Sequence, residues 1–308
     1  MNDTAASLPP APDTLTRKDR FFLRLLRFFG HRSLGFLQKF GAFAGWMAMH
    51  VVGNSRRHTV RRNLELCFPG KSEDWYQETT ARCLVSMSQT MAEFTKSWGE
   101  PPEYSISQIR KVHGEDIFHE ALASGRGTIG IIPHYGTWEF MNAWVSQHTA
   151  PIIMYKPAKQ KGVDAFVRDA RSRLNSIAVP TDDSGVKALF KGLKKNGFSA
   201  ILPDHIPHDG GGIYAPFFGI STWTGVMLPK LISRTQCSVI VMYCLRRPDA
   251  DGFEIHFEKP DPDIWNEDLA ASAAAMNRCV ENVIRRDPAH YQWSYKRFKK
   301  NENLPDPY

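Results

Sequence analysis

The apolar positions of this chain change their period near residue 127. Before that point, residues 15–98 follow helical spacing. Phe21, Phe22, Leu25, Leu26 and Phe29 fall on one predicted helical face, with Arg24 and Arg27 off it. The stretch 21–53 is the most apolar in the chain, and Arg24, Arg27, Arg32 and Lys39 interrupt it. Its uncharged tail, Phe40 to Gly53, is shorter than the roughly 20 residues that span a bilayer. Aromatics on one face and arginines on the other predict an interfacial helix rather than a span. The basic run just beyond it (Arg56, Arg57, Arg61, Arg62) suits anionic head groups. The plainer alternative is a long helix packed on the core.

From residue 127 onward, short buried-type strands alternate with helices. Strands are predicted at 128–133, 151–155, 176–180, 198–203, 237–246 and 252–258. Helices are expected to about residue 147, then at 162–174, 184–195, 222–235, 267–286 and 288–298. This alternation predicts an α/β layer with a mostly parallel sheet, whose functional residues gather at the carboxyl ends of strands. Residues 1–14 are polar and rich in Pro and Ala, which predicts a disordered start. No repeat or low-complexity linker cuts the middle, so the expected organisation is a helical membrane-associating region at 15–65 followed by one domain at 66–308.

Composition narrows the partners. The net charge of +7 over 308 residues favours an acidic ligand: phosphate, anionic lipid, nucleic acid or an acidic protein. Basic residues are not interleaved with aromatic stacking patches, which argues against nucleic acid. Five scattered cysteines, none in a C-x-x-C pair, indicate neither a disulfide framework nor a thiol zinc site.

Three groups of residues carry candidate chemistry. The first is "GTIGIIPHYGTWEF" (127–140), where a strand runs into Pro133 and His134, then a turn, then Glu139 at a helix start. Gly136 gives the turn freedom to fold back. Glu139 is then expected to accept from Nδ1–H of His134, leaving Nε2 as a base. Alternatively, Glu139 simply favours the positive end of its helix. Neither a Gly-x-Ser-x-Gly elbow nor a nearby cysteine supplies a nucleophile, so a base here would activate a group on the substrate. The second group is "LPDHIPHDGGG", with Asp204, His205, His208 and Asp209; with His134 it is a weak candidate for a metal site. The third is basic. Arg171 is placed to turn inward among Phe166, Val167, Ala170 and Leu174, while Lys159, Lys161 and Arg168 read as a solvated face.

Four elements in fixed order resemble one family. They are "RRNLELCFPGKS" (61–72), "HYGTWE" (134–139), "LPDH" with "APFFG" (202–205 and 215–219), and "DPAHYQWSYKRFK" (287–299). Together they are similar to the bacterial lipid A biosynthesis late acyltransferases, the lauroyl/myristoyl transferase family, over roughly residues 20–300. The resemblance implies a glycerol-phosphate-acyltransferase-like fold: a mixed, mostly parallel sheet wrapped by helices, with an N-terminal membrane-attached region. It implies acyl transfer from acyl carrier protein to a hydroxyl of a phosphorylated lipid A precursor, at the cytoplasmic face of the bacterial inner membrane. No cofactor, metal or nucleic acid is implied. The family's His/acid dyad falls on His134 and Glu139, its arginine on Arg171 with Arg173 beside it, and its acidic motif on Asp204. Many members carry histidine where this chain has Tyr295. Rival readings are an acyltransferase for another glycolipid or a lysophospholipid, a metal-dependent hydrolase built on His134, Asp204, His205 and His208, and a non-catalytic basic module.

Overall fold

The computed structural model describes residues 15–51, 54–305 and 307–308. The segment 1–14, expected to be disordered, lies outside those residues, as does Gly53. Four helices come first: α1 (Arg17–Gly30), α2 (Leu34–His50), α3 (Asn54–Cys67) and α4 (Glu73–Gly99). Side-chain caps start three of them. Thr16 forms a reciprocal box with Asp19 at α1, and Ser33 and Ser72 accept from the third helical amide of α2 and α4.

Helix α2 lies directly on α4. A Cβ at Gly41 would sit 2.5 Å from Cα of Gln89, and one at Gly45 would sit 2.4 Å from Cα of Val85. The two backbones therefore touch along a face only glycine permits. Among the described residues nothing covers the opposite face of α2, and Phe36, Phe40, Phe43 and Trp46 on it are exposed. The apolar residues of α1 divide differently from the single face expected: Phe21, Leu25 and Phe28 are exposed, while Phe22, Leu26 and Phe29 are half-buried. No helix among the described residues is long and apolar enough to cross a membrane.

The sheet then builds up. Its elements are α5 (Pro102–Ser107), β1 (Ile109–His113), α6 (Glu115–Ala123), β2 (Thr128–Ile131), α7 (Glu139–His148), β3 (Ile152–Tyr155), α8 (Lys161–Ser172), β4 (Ile177–Pro180), α9 (Asp183–Leu193) and β5 (Phe198–Ile201). A two-stranded antiparallel hairpin, β6 (Gly212–Phe217) and β7 (Ile220–Gly225), precedes α10 (Met227–Thr235), β8 (Ser238–Arg246), β9 (Phe253–Glu258) and α11 (Leu269–Arg286). The seven-stranded order is β1-β9-β8-β2-β5-β3-β4, parallel throughout except for β8 against β9. The expected mostly parallel α/β sheet is therefore present.

Two expected helices are not formed as written. Residues 222–225 close the hairpin, because "ISTWTG" alternates β-branched and aromatic residues at period two and the helix waits until Met227. Beyond Pro288–His290, a single 3-10 turn, the chain runs irregularly rather than as a helix over 288–298. That segment buries Tyr291, Trp293, Arg297 and Phe298. Asn63 of α3 holds it by donating to the carbonyls of Trp293 (2.7 Å) and Tyr295 (2.9 Å). Two elements far apart in sequence, "RRNLELCFP" and "YQWSYKRFK", are thus one structural joint.

Candidate active site

Strands β2 and β5 are parallel neighbours in register, Ile131 opposite Ile201. Each runs on through an apolar residue and a proline (Ile132–Pro133, Leu202–Pro203), and the bond from the Ile132 amide to the Ile201 carbonyl extends the pairing. The next residues, His134 and Asp204, therefore emerge side by side at the carboxyl edge of the sheet. His134 Nδ1 lies 2.7 Å from Asp204 Oδ1, and the His134 backbone amide donates to Asp204 Oδ2 at 2.9 Å. Asp204 is 2% exposed. Burial alone would push its carboxyl up, but the charge and two hydrogen bonds of His134, with His205 beyond, hold it well below the usual carboxylate range.

This corrects the expected His134–Glu139 hydrogen bond. Glu139 faces elsewhere: Oε2 accepts from Trp98 Nε1 (2.9 Å) and Asn142 Nδ2 (3.0 Å), and Oε1 from Arg171 Nη2 (3.1 Å). The five-residue offset puts Glu139 at the first position of α7, one turn away and pointed toward α4 and α8. Asp204, not Glu139, is the carboxylate that fixes the imidazole.

The turn between them is rigid. Gly136 has φ of +64°, and a Cβ there would lie 2.1 Å from the Cys244 carbonyl oxygen. Its amide donates to the His290 carbonyl (2.9 Å), and that of Thr137 to Cys244 (2.8 Å). These two amides are therefore already used and are not free to bind an oxyanion. Thr137 Oγ1 donates to buried Glu93, which is paired with Arg246 at 2.8 Å, so the turn is pinned to β8 and α4.

Arg171 turns inward as expected, paired with Glu139, and its buried Nε has no hydrogen-bond partner among the described residues. Arg173 does not join it; it is exposed, and its Nη2 donates to the Trp98 carbonyl at 2.5 Å. Tyr295 has a place that the sequence did not reveal. Its ring stacks on His205, and its hydroxyl accepts from the Ile206 amide at 3.0 Å. Gln292 is not singled out by the sequence, although "YQWSYKR" draws attention to its segment.

Two cavities meet here. The larger, about 920 Å³, is mostly apolar; Ile132, Met154, Val186, Phe190, Leu228 and Leu231 line it, with Glu139, Arg171 and His205 on its wall. The smaller, about 270 Å³, is lined by His134, Met87, Met91, Arg56 and Gln292. Trp138 borders both.

The loop histidines do not converge on a metal position. His134 Nδ1 is turned to Asp204, His205 Nε2 to Gln292, and exposed His208 to the Asp209 carbonyl. Among the described residues, the group with three donor atoms within 4.8 Å is His113, Glu254 and His256. Those two imidazoles are stacked with planes 6° apart, so their lone pairs run side by side instead of meeting.

The chain is similar to known proteins over most of its length. The family described as "Bacterial lipid A biosynthesis acyltransferase" matches residues 20–300. A lipid A biosynthesis lauroyltransferase of Escherichia coli strain K12 is 27% identical over 277 residues, 88% of each chain. A lipid A biosynthesis acyltransferase of Haemophilus influenzae is 28% identical over 277 residues, 88% of this chain and 86% of the other. A lipid A biosynthesis palmitoleoyltransferase of Escherichia coli strain K12 is 25% identical over 248 residues, 79% of each.

Proposed function

The chain belongs to the bacterial lipid A biosynthesis acyltransferases, and from that premise we propose how it works: His134, oriented by Asp204, activates a hydroxyl of a lipid A precursor to attack an acyl thioester carried by acyl carrier protein. The observation that carries this is the 2.7 Å contact between His134 Nδ1 and the buried Asp204 carboxylate. An ionised carboxylate at Nδ1 fixes that nitrogen as the protonated one and leaves Nε2 with a lone pair.

The steps balance without a covalent enzyme intermediate. The substrate hydroxyl gives its proton to Nε2 as its oxygen bonds to the thioester carbon, and Asp204 stabilises the imidazolium. The oxyanion takes a hydrogen bond from Arg171, which lines the larger cavity and keeps an unused Nε donor. Collapse breaks the carbon–sulfur bond, and the thiolate recovers the proton from His134. The 920 Å³ apolar cavity suits the incoming acyl chain. The smaller cavity, which His134 lines, suits the acceptor and has Arg56 for a phosphate. Glu139 acts by holding Arg171.

Membrane attachment is part of the same proposal. The exposed Phe36, Phe40, Phe43 and Trp46 on α2, with Phe21 and Phe28 on α1, form an aromatic surface suited to an interfacial position. Such a position on the cytoplasmic side of the inner membrane would bring a lipid acceptor to the site.

The test supplies purified protein with a phosphorylated lipid A precursor and either acyl carrier protein or coenzyme A thioesters of graded chain length. The expected result by mass spectrometry is a precursor heavier by one acyl group, with one carrier thiol released per transfer. Acylation from coenzyme A but not from the carrier protein would overturn the donor assignment.

A further inference from the structure

The proposed chemistry leaves one imidazole without a role. His205 lies face to face with His134, centroids 3.9 Å apart and planes 1° apart. Tyr295 stacks on its other face at 3.9 Å and 15°. Its Nε2 is 3.2 Å from Gln292 Oε1, and the backbone N–H of Gln292 donates to the His134 carbonyl at 3.0 Å. His205 is thus clamped between the base and the C-terminal segment. Trp138 meets His134 edge-on at 5.1 Å.

A base bound to a buried carboxylate has a difficulty. The ion pair that orients it also favours its protonated form, and an imidazole that keeps its proton at working pH accepts none. Something must offset Asp204. The charged and titratable groups around the stacked pair are Asp204 after β5, Tyr291, Tyr295 and Arg297 from the C-terminal segment, and Arg56 and His290, which line the smaller cavity with His134. Burial, and then the nearby Asp204 charge, push the Tyr291 hydroxyl up, so it stays neutral. Arg297 is fully buried, and its guanidinium donates to Thr222, Thr224 and the Trp223 carbonyl. Arg297 and the exclusion of water therefore oppose a second positive charge.

We propose that His205 is a positioning residue that keeps His134 in its uncharged, proton-accepting form, by covering the ring face that water would otherwise solvate. This rests on His134 being the base. His205 itself stays neutral for the same reason: burial, then the neighbouring His134, push it down to about 4. It thus works as a flat ring and not as a charge.

The test compares the wild type with His205→Ala, His205→Gln and His205→Phe. Two readouts are taken: the pH dependence of kcat/KM for acyl transfer, and the titration of the His134 ring nitrogens by proton–nitrogen NMR on histidine-labelled protein. Removing the ring admits water to one face, and an upward shift of about one pH unit is expected for both the acid limb and the His134 titration in the Ala and Gln variants. Activity below the limb then falls up to about tenfold. His205→Phe restores both values, because a flat apolar ring covers the same face. A His134 titration unmoved in Ala and Gln overturns the proposal, as does a Phe variant that shifts as far as Ala. A titration that moves while the acid limb stays fixed supports the covering role and overturns His134 as the base, so the two failures are distinguishable.

Discussion

Asp204→Asn separates the two carboxylates that compete for the role of orienting His134. The Asp204 carboxylate accepts from two donors of one residue, the His134 amide at 2.9 Å and Nδ1 at 2.7 Å. Asparagine offers one oxygen and one NH₂ group, so it can accept from only one of them. If the oxygen stays with the amide, the NH₂ group faces Nδ1. The imidazole then takes the other tautomer and carries its proton on Nε2, where the base should be. If the oxygen turns to Nδ1, the buried amide of His134 is left facing another donor. Either way one charge-assisted hydrogen bond is lost, worth about 1.5–3 kcal/mol. The tautomer change also removes general-base assistance of about 10²–10⁴ in rate. A fall in kcat of roughly 10²–10⁴, or about 3–5 kcal/mol in the barrier, is expected, with little change in KM. The assay is steady-state acyl transfer followed by mass spectrometry, with circular dichroism and a thermal melt to show that the variant is folded. Glu139→Gln is the control. It leaves the partner of Nδ1 in place and weakens the hold on Arg171, so it lowers the rate without moving the acid limb of the pH profile. A folded Asp204→Asn enzyme within tenfold of wild type, or an acid limb that moves in Glu139→Gln and not in Asp204→Asn, would refute the assignment.

Other parts of the structure can be tested as directly. Gly45→Leu forces side-chain atoms into the backbone of α4, since even a Cβ would sit 2.4 Å from Cα of Val85. It should cost about 1–3 kcal/mol and lower the melting temperature by several degrees; an unchanged melt would mean that α2 does not pack there. Replacing both Phe43 and Trp46 by Gln removes exposed aromatic surface without touching the core, and should weaken co-sedimentation with anionic vesicles; equal sedimentation would count against an interfacial α2. Burial pushes His205, His256 and His290 down to about 4, against roughly 6.5 when unfolded. Between those values the unfolded chain binds more protons, so the melting temperature should fall as the pH drops from about 6.5 towards about 4. A flat profile over that window would contradict the buried, neutral state of these rings.

The sheet was legible because its strands are short apolar runs separated by helical patterns, and all six expected strands occur. The edge strand β1, "IRKVH", was not, because its charged residues give it no apolar run. The hairpin 212–225 was hidden by its Gly-rich start, although "STWTG" carries the period-two signal. His134 was identifiable by its place after a strand, but its partner was not. Spacing along the chain offers Glu139; only the order of strands, with β5 beside β2, offers Asp204. In retrospect, "IIPH" and "ILPD" are matching strand endings. Two parallel strands with the same ending, in register, deliver their last polar residues to one place. Tyr295 stands where the resemblance implies a histidine, and its flat ring stacks on His205.

The central claim is that His134 takes the proton of the acceptor hydroxyl. The most direct measurement is single-turnover acyl transfer by wild type and His134→Ala on the same lipid A precursor and acyl carrier protein thioester, with both proteins shown to be folded. The expected result is acylated precursor from the wild type, no acylated protein at any time, and a rate lower by about 10²–10⁴ in the variant. Transfer by His134→Ala at a rate near that of the wild type, or an acyl group found on the protein before it reaches the precursor, would contradict it.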